Sequence, residues 1–182
     1  MSDYNRIIDK YYPEGSPLRD IYLRHYRQVA DKALAIAEAR GLTLPPAEIE
    51  AAAMLHDIGI FLCDAPSIGC HGQEHYLRHG MLGADLLRRE GAPEALARVA
   101  ERHTGSGITR EEIIADMLPL PTDRCLMPET TLERLICYAD KFYSKSSDMA
   151  EKPLPKVMVS MARFGPEPFA RFNDLHREFG LK

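Results

Sequence analysis

The side chains in this sequence best equipped for chemistry are six histidines and aspartates. His56 and Asp57 are adjacent at the end of the apolar run Ala51-Ala-Ala-Met-Leu-His-Asp-Ile-Gly59, His25 lies upstream, and His79, His103 and Asp140 lie downstream. Packing alone does not explain an apolar helix that ends in two metal-binding side chains and a glycine. Neutral imidazole nitrogens and carboxylate oxygens suit a divalent transition metal (Mn, Fe, Co, Ni or Zn), with Mg also compatible. The absence of cysteine from the set argues against a soft thiolate site. Adjacent residues on a regular helix point about 100° apart, so His56 and Asp57 reach one ion most easily where the helix stops, and Gly59 supplies that stop. A carboxylate can bridge two ions, which a neutral imidazole does not do, so Asp57 is the natural bridging group. The chemistry implied is metal-dependent hydrolysis.

The elements that must position these groups read as helices almost throughout. Ser16-Pro17 offers an N-cap and a proline at the first helical position. Val29, Ala30, Ala33, Leu34 and Ala37 then recur at helical spacing until Gly41, and His25 rides on that helix. Pro45-Pro46 opens the helix that ends in His56-Asp57. Residues 61 to 76, rich in breakers, read as a long loop, and long loops in compact domains are often functional. Helical spacing resumes at His79 and runs to Gly91, and Pro93 opens a helix that reaches His103. Thr109 and Glu112 match a capping box, with a short helix expected through Ile113 and Met117. Thr130 or Thr131 caps a helix that ends near Asp140, and two more helices follow Pro155 and Pro166. Strand-like alternation is absent, and the expected class is all-α. No linker or repeat divides the chain, so residues 1–182 read as a single domain.

Bulk properties narrow the partners. The chain of 182 residues is 45% hydrophobic and 27% charged, with a formal net charge of −4 and no long basic run. This disfavours nonspecific binding to a nucleic acid duplex, which needs arrays of Lys and Arg, and favours a small substrate. No stretch approaches the roughly 20 apolar residues of a membrane span, so no membrane partner and a cytoplasmic location are expected. A homo-oligomer is compatible with the sequence. Cys63, Cys70, Cys125 and Cys137 show no C-x-x-C pairing and read as free thiols, Cys137 as a small core residue.

Each ligand assignment has a plainer competitor. His56-Asp57 alone could be a helix C-terminal pair, and His79 or His103 alone could serve capping or dipole roles. His71, His75 and His176 read as surface or loop residues, with His75 the nearest of the three to the site. Arg78 and Arg102 could reach inward, although exposed arginines on helices are commoner. Tyr143 and Ser144, three and four residues past Asp140, share its face if the helix continues. Met158, Met161 and Phe164 read as a packing stripe.

Taken in order, His25, His56-Asp57 and Asp140 resemble the His, His-Asp, Asp pattern of the HD-domain superfamily of metal-dependent phosphohydrolases, and His56-Asp57-Ile58-Gly59 matches its "HDIG" form. His79-Gly80-Met-Leu-Gly83-Ala84 and Arg102-His103-Thr104 are similar to the motifs of members with extra histidines, the dinuclear branch that includes diadenosine-tetraphosphate hydrolases. Closer still is a prokaryotic group whose tail resembles Leu118-Pro-Leu-Pro121, Met127-Pro-Glu-Thr-Thr-Leu-Glu133 and Ala139-Asp-Lys141. The resemblance covers roughly residues 20 to 145. It implies a helical HD bundle with this core and C-terminal helices at about 155–180 packed on it. It implies that His25, His56, Asp57 and Asp140 hold one metal and that Asp57, His79 and His103 hold a second. It places Lys141 beside the phosphate, makes Asp57 and Lys141 the catalytic pair, and implies a small phosphorylated substrate, either a phosphomonoester or a nucleotide-type phosphoanhydride. Two alternatives share the ligand set: a di-iron oxygenase and a non-catalytic regulatory module. Many HDIG proteins carry a lysine after the glycine. Ile60 stands there in this chain, so no role of that lysine carries over.

Overall fold

The computed structural model describes residues 4–145 and 149–181. A short helix α1 (Tyr4–Tyr11) opens the chain; it lies before the first expected helix and packs on the third. Its buried residues Ile7 and Ile8 are a single adjacent pair, too few to show a period.

Helix α2 (Pro17–Arg40) begins as its sequence dictates. The Ser16 hydroxyl accepts the Arg19 N–H at 3.3 Å, Pro17 sits where no N–H is needed, and Gly41 closes the helix in the left-handed conformation at φ 63°. Its 24 residues make a rod about 36 Å long. Helix α3 (Pro46–Leu55) is buried on every side from Ala51 to Leu55, as suits the central helix of a bundle. Helices α4 (His79–Arg89) and α5 (Glu94–Arg102) pack on each other. Both α6 (Arg110–Ala115) and α7 (Thr131–Asp140) start with reciprocal capping boxes, Thr109 with Glu112 and Thr130 with Glu133. Two C-terminal helices, α8 (Leu154–Ala162) and α9 (Pro166–Phe179), pack against each other, and α9 also packs on α7. The core lies where α2, α3, α5 and α7 meet.

The fold is all-α apart from one small ladder. Within the expected loop, β1 (Asp64–Ala65) and β2 (Cys70–His71) pair antiparallel, with Asp64 opposite His71 and Ala65 opposite Cys70. Short 3-10 turns at Ile60–Leu62, Pro66–Ile68 and Tyr76–Arg78 tighten the rest. A two-residue strand is too short to show alternation, which is why the sequence does not betray it. Cys63, Cys70 and Cys137 are buried free thiols.

Three expectations are corrected. Helix α6 stops at Ala115, and Met117 takes a left-handed backbone (φ 50°) with its side chain in solvent, so it is no packing position. Phe164 is 64% exposed while Met161 is buried, because α8 ends at Ala162 and the stripe ends with it. Helix α7 ends at Asp140, so Tyr143 and Ser144 do not continue its face. Among the described residues, no helix is long and apolar enough to cross a membrane.

Candidate metal centre

Five helices deliver the six ligand-type side chains. His25 projects from the middle of α2, His56 is the C-cap of α3, His79 is the first residue of α4, His103 is the C-cap of α5, and Asp140 is the last residue of α7. Asp57 follows His56 in a tight turn. Three helix C-termini thus converge, each with a partial negative charge of about half a unit, and an aspartate at such an end is electrostatically unfavourable without a cation. All six side chains are buried, His25, His56 and Asp57 completely.

Glycines permit this closeness. A Cβ on Gly59 would lie 2.5 Å from the Gly83 backbone nitrogen, and one on Gly80 would lie 2.5 Å from the Ala100 carbonyl oxygen. The His-Asp turn therefore seats directly on α4, and α4 seats directly on α5.

Asp57 faces two ways. Its Oδ2 lies 3.0 Å from Nε2 of His56 and 3.9 Å from Nε2 of His25, while its Oδ1 lies 2.9 Å from Nε2 of His79 and 3.1 Å from Nε2 of His103. Asp140 Oδ1 completes the first group, 3.1 Å from His25 and 3.4 Å from His56. In each of the two sets, His25, His56, Asp57 and Asp140, and Asp57, His79 and His103, one ligand atom per residue falls within 4.8 Å of all the others.

The donor chemistry fits divalent cations. Nδ1 of His56, His79 and His103 each lies against a backbone carbonyl three residues earlier, Ala53, Tyr76 and Ala100, at 2.7, 2.6 and 2.8 Å. With the Nδ1 proton donated there, each Nε2 presents a lone pair to the cluster, the orienting pattern of metal-ligating histidines. Nε2 of His79 and of His103 then face each other at 3.1 Å, two lone pairs beside a carboxylate oxygen with no proton between them. Among the described residues, His56 Nε2 and His25 Nδ1 are buried without a well-formed hydrogen bond. Burial lowers the His103 pKa to about 4, and burial together with nearby Lys145 lowers that of His25 to about 4. Both are therefore neutral imidazoles. Burial also disfavours charge on His56, but the Asp57 and Asp140 carboxylates overcome it and raise its pKa to about 9. Something positive, proton or metal, belongs at that nitrogen. Burial opposes ionisation of Asp57 and Asp140 too, yet the surrounding cations hold both well below the usual carboxylate range, chiefly Lys145 for Asp57 and Lys141 for Asp140.

The two lysines are placed differently from one another. Lys141 is turned aside, its Nζ 2.8 Å from Asp140 Oδ2 and donating to the His103 carbonyl at 3.2 Å. Lys145 enters the centre, its Nζ 2.5 Å from Asp57 Oδ2. Sequence reasoning missed Lys145, because only the turn after α7 brings it back; a second lysine five residues beyond Asp140 was the available signal. Ser144 lines a cavity with Lys145, whereas Tyr143 donates to Glu151 at 3.0 Å.

The remaining candidates lie elsewhere. Arg102 is buried but bonds to Glu129 and Glu133, and Arg78 pairs with Glu74. His75 is exposed and caps the Leu77 N–H, His71 is exposed, and His176 meets the Tyr138 hydroxyl at 2.9 Å.

The ordered ligand set is matched across its whole span by the HD domain family, which aligns with residues 22–144. The chain belongs to the HD-domain family. This HD domain has the fold of the HD domain of the phosphodiesterase PgpH from L. monocytogenes, at TM-score 0.57 and 16% identity over 96% of this chain and 95% of that one. A second structure of the PgpH domain, in complex with cyclic-di-AMP, matches at TM-score 0.55 and 15% identity over 98% of both chains. Among curated proteins the HD domain is 32% identical over 178 residues to a tRNA (cytidine(56)-2'-O)-methyltransferase of Thermoplasma volcanium, covering 97% of this chain and 46% of the relative. It is 41% identical over 87 residues to the uncharacterized protein MJ0778 of Methanocaldococcus jannaschii, covering 48% of this chain and 43% of the relative. The chain thus spans less than half the length of either curated relative.

Proposed function

We propose that this HD domain is a metal-dependent phosphohydrolase acting on a small phosphorylated substrate. His25, His56, Asp57 and Asp140 would hold one divalent ion, and Asp57, His79 and His103 a second. Bound ions supply Lewis acidity there, lowering the pKa of a water and offsetting charge on phosphoryl oxygens. The observation that carries this reading is the division of Asp57, with one oxygen toward each group of histidines at 2.9 to 3.1 Å.

The chain's own residues do the rest. Asp57 and Asp140 set the negative charge that holds cations in a buried cluster. The backbone carbonyls of Ala53, Tyr76 and Ala100 fix the histidine tautomers. Lys145 brings an ammonium to the open side of the cluster, where an anionic substrate benefits and a neutral one does not. That cation favours phosphoryl transfer over oxygenase chemistry on the same ligands. Lys141 neutralises Asp140 and ties the end of α7 to that of α5 through the His103 carbonyl.

The test is a hydrolysis screen with Mn, Co, Ni, Fe and Mg across nucleotides, dinucleoside polyphosphates and sugar phosphates. Metal-dependent phosphate release that is abolished in Asp57→Ala, with helical content retained, is expected. No release with any metal, or full activity in Asp57→Ala, would overturn the reading. Oxygen consumption by iron-loaded protein without phosphate release would assign the oxygenase alternative.

A further inference from the structure

A cavity of about 410 Å³ opens beside the metal centre, lined by Ala65, Ser67, Ile68, Tyr76, Ser144 and Lys145. That volume lies within the range of small-molecule clefts, roughly 300–1,000 Å³. Two of its walls belong to the centre itself: Lys145 contacts Asp57, and the Tyr76 ring stacks on the His79 imidazole with centroids 4.7 Å apart. Lys145 Nζ also lies 6.0 Å from the ring of Tyr26, whose buried hydroxyl has no hydrogen-bond partner among the described residues.

We propose that this cavity binds a phosphomonoester, with Lys145 taking the phosphoryl group and the other walls taking an uncharged alcohol portion such as a nucleoside or a sugar. The proposal rests on the phosphohydrolase reading and narrows its substrate from phosphate esters and anhydrides to monoesters.

The charge distribution decides the class. Among the described residues, Lys145 is the one charged residue in the lining; the others are two serine hydroxyls, a tyrosine and two aliphatic side chains. The next lysines point elsewhere, Lys141 to Asp140 and the His103 carbonyl, and Lys152 to the Lys141 carbonyl. A polyphosphate chain or second nucleotide phosphate in this cavity would meet apolar and hydroxyl groups that offer no countercharge, so the added phosphates would gain no ionic partner there. A monoester needs one cluster of positive charge at one end, and that is what the cavity offers. Lys145 Nζ lies 2.5 Å from Asp57 Oδ2, and a divalent cation held by Asp57 would compete with that ammonium for the carboxylate and leave it available to an anion in the cavity. In the reaction, a water oxygen bonds to phosphorus, the phosphorus–ester oxygen bond breaks, and the proton from water ends on the ester oxygen, leaving an alcohol and inorganic phosphate.

The experiment uses the full chain loaded with Mn. Calorimetric titration with inorganic phosphate is expected to show binding at least 10-fold weaker in Lys145→Met, partly restored in Lys145→Arg, with the Mn content of both variants unchanged. Separately, Ala65→Phe is expected to lower kcat/KM for nucleoside 5'-monophosphates at least 10-fold relative to that for a short alkyl phosphate. Unchanged phosphate affinity in Lys145→Met, an unchanged ratio in Ala65→Phe, or faster hydrolysis of dinucleoside polyphosphates than of monoesters by the unaltered protein would each overturn the proposal while leaving the phosphohydrolase reading intact. Absence of any phosphate release from the unaltered protein would instead remove that reading.

Discussion

Nζ of Lys145 lies 2.5 Å from Oδ2 of Asp57, the oxygen that also faces His56 and His25. Asp57 is fully buried and Lys145 nearly so. In the absence of metal the ammonium is therefore a principal countercharge of a carboxylate that water does not reach. Removing one partner of a buried ion pair typically costs about 3–5 kcal/mol, and in a domain of this size each kcal/mol is worth roughly 2–4 °C in Tm. Chelator-treated Lys145→Met should accordingly melt about 6 °C or more below the chelator-treated parent. Saturating Mn should narrow that gap, since a metal on Asp57 replaces the lost charge. Calorimetric melting with and without metal checks this, and a gap that metal leaves untouched would contradict it.

The glycines at the His-Asp turn make a steric prediction. Because a Cβ on Gly59 would press on the backbone of α4 at Gly83, Gly59→Ala must push α4, and His79 with it, away from Asp57. Overpacking of this kind costs about 1–3 kcal/mol. Gly41→Ala is the contrast: nothing lies within 4 Å of its Cβ position, so its cost is the left-handed backbone alone and metal affinity should be unchanged. Denaturant unfolding combined with metal titration separates the two cases.

A pH prediction comes from the frame rather than the centre. Glu133, at the start of α7, accepts the Glu129 N–H at 2.7 Å and pairs with Arg98 and Arg102, tying α7 to the end of α5 that carries His103. Burial pushes its pKa up, but the backbone donor and both arginines win and hold it below the ordinary 4.5. The unfolded chain thus takes up this proton more readily than the folded one. The stabilisation is complete above about pH 4.5 and is lost as pH falls through the lower folded value. Glu133→Gln should be less stable at pH 7, and its stability should fall less steeply than the parent's between about pH 5 and 3. Equal slopes in urea unfolding across that range would contradict the pairing.

What the sequence discloses and what it hides have physical reasons here. His25, His56, Asp57, His79, His103 and Asp140 are recognisable because each sits at a helix position fixed by local signals: Ser16-Pro17 and Gly41 around His25, Gly59 after the His-Asp pair, Pro93 before the helix of His103, and Thr130 before that of Asp140. Their convergence follows once those helices pack as a bundle. Lys145 has no such local anchor. It lies past the end of α7, and its approach to Asp57 depends on a turn that no spacing encodes, whereas Lys141, next to Asp140, pairs with its neighbour's carboxylate. The cavity walls at Ala65, Ser67 and Ile68 likewise come from 3-10 turns and a two-residue ladder, too short for any periodicity. The candidate metal ligands are thus legible in the sequence, and the cavity proposed to take the substrate is not.

The central claim is that Asp57 joins two cation sites, and metal content measures it directly. Protein reconstituted with Mn and freed of excess metal should carry close to two ions per chain by elemental analysis, His79→Ala close to one, and Asp57→Ala close to none, with helical circular dichroism retained in all three. Equal metal content in the parent and in His79→Ala, or two ions retained in Asp57→Ala, would contradict it.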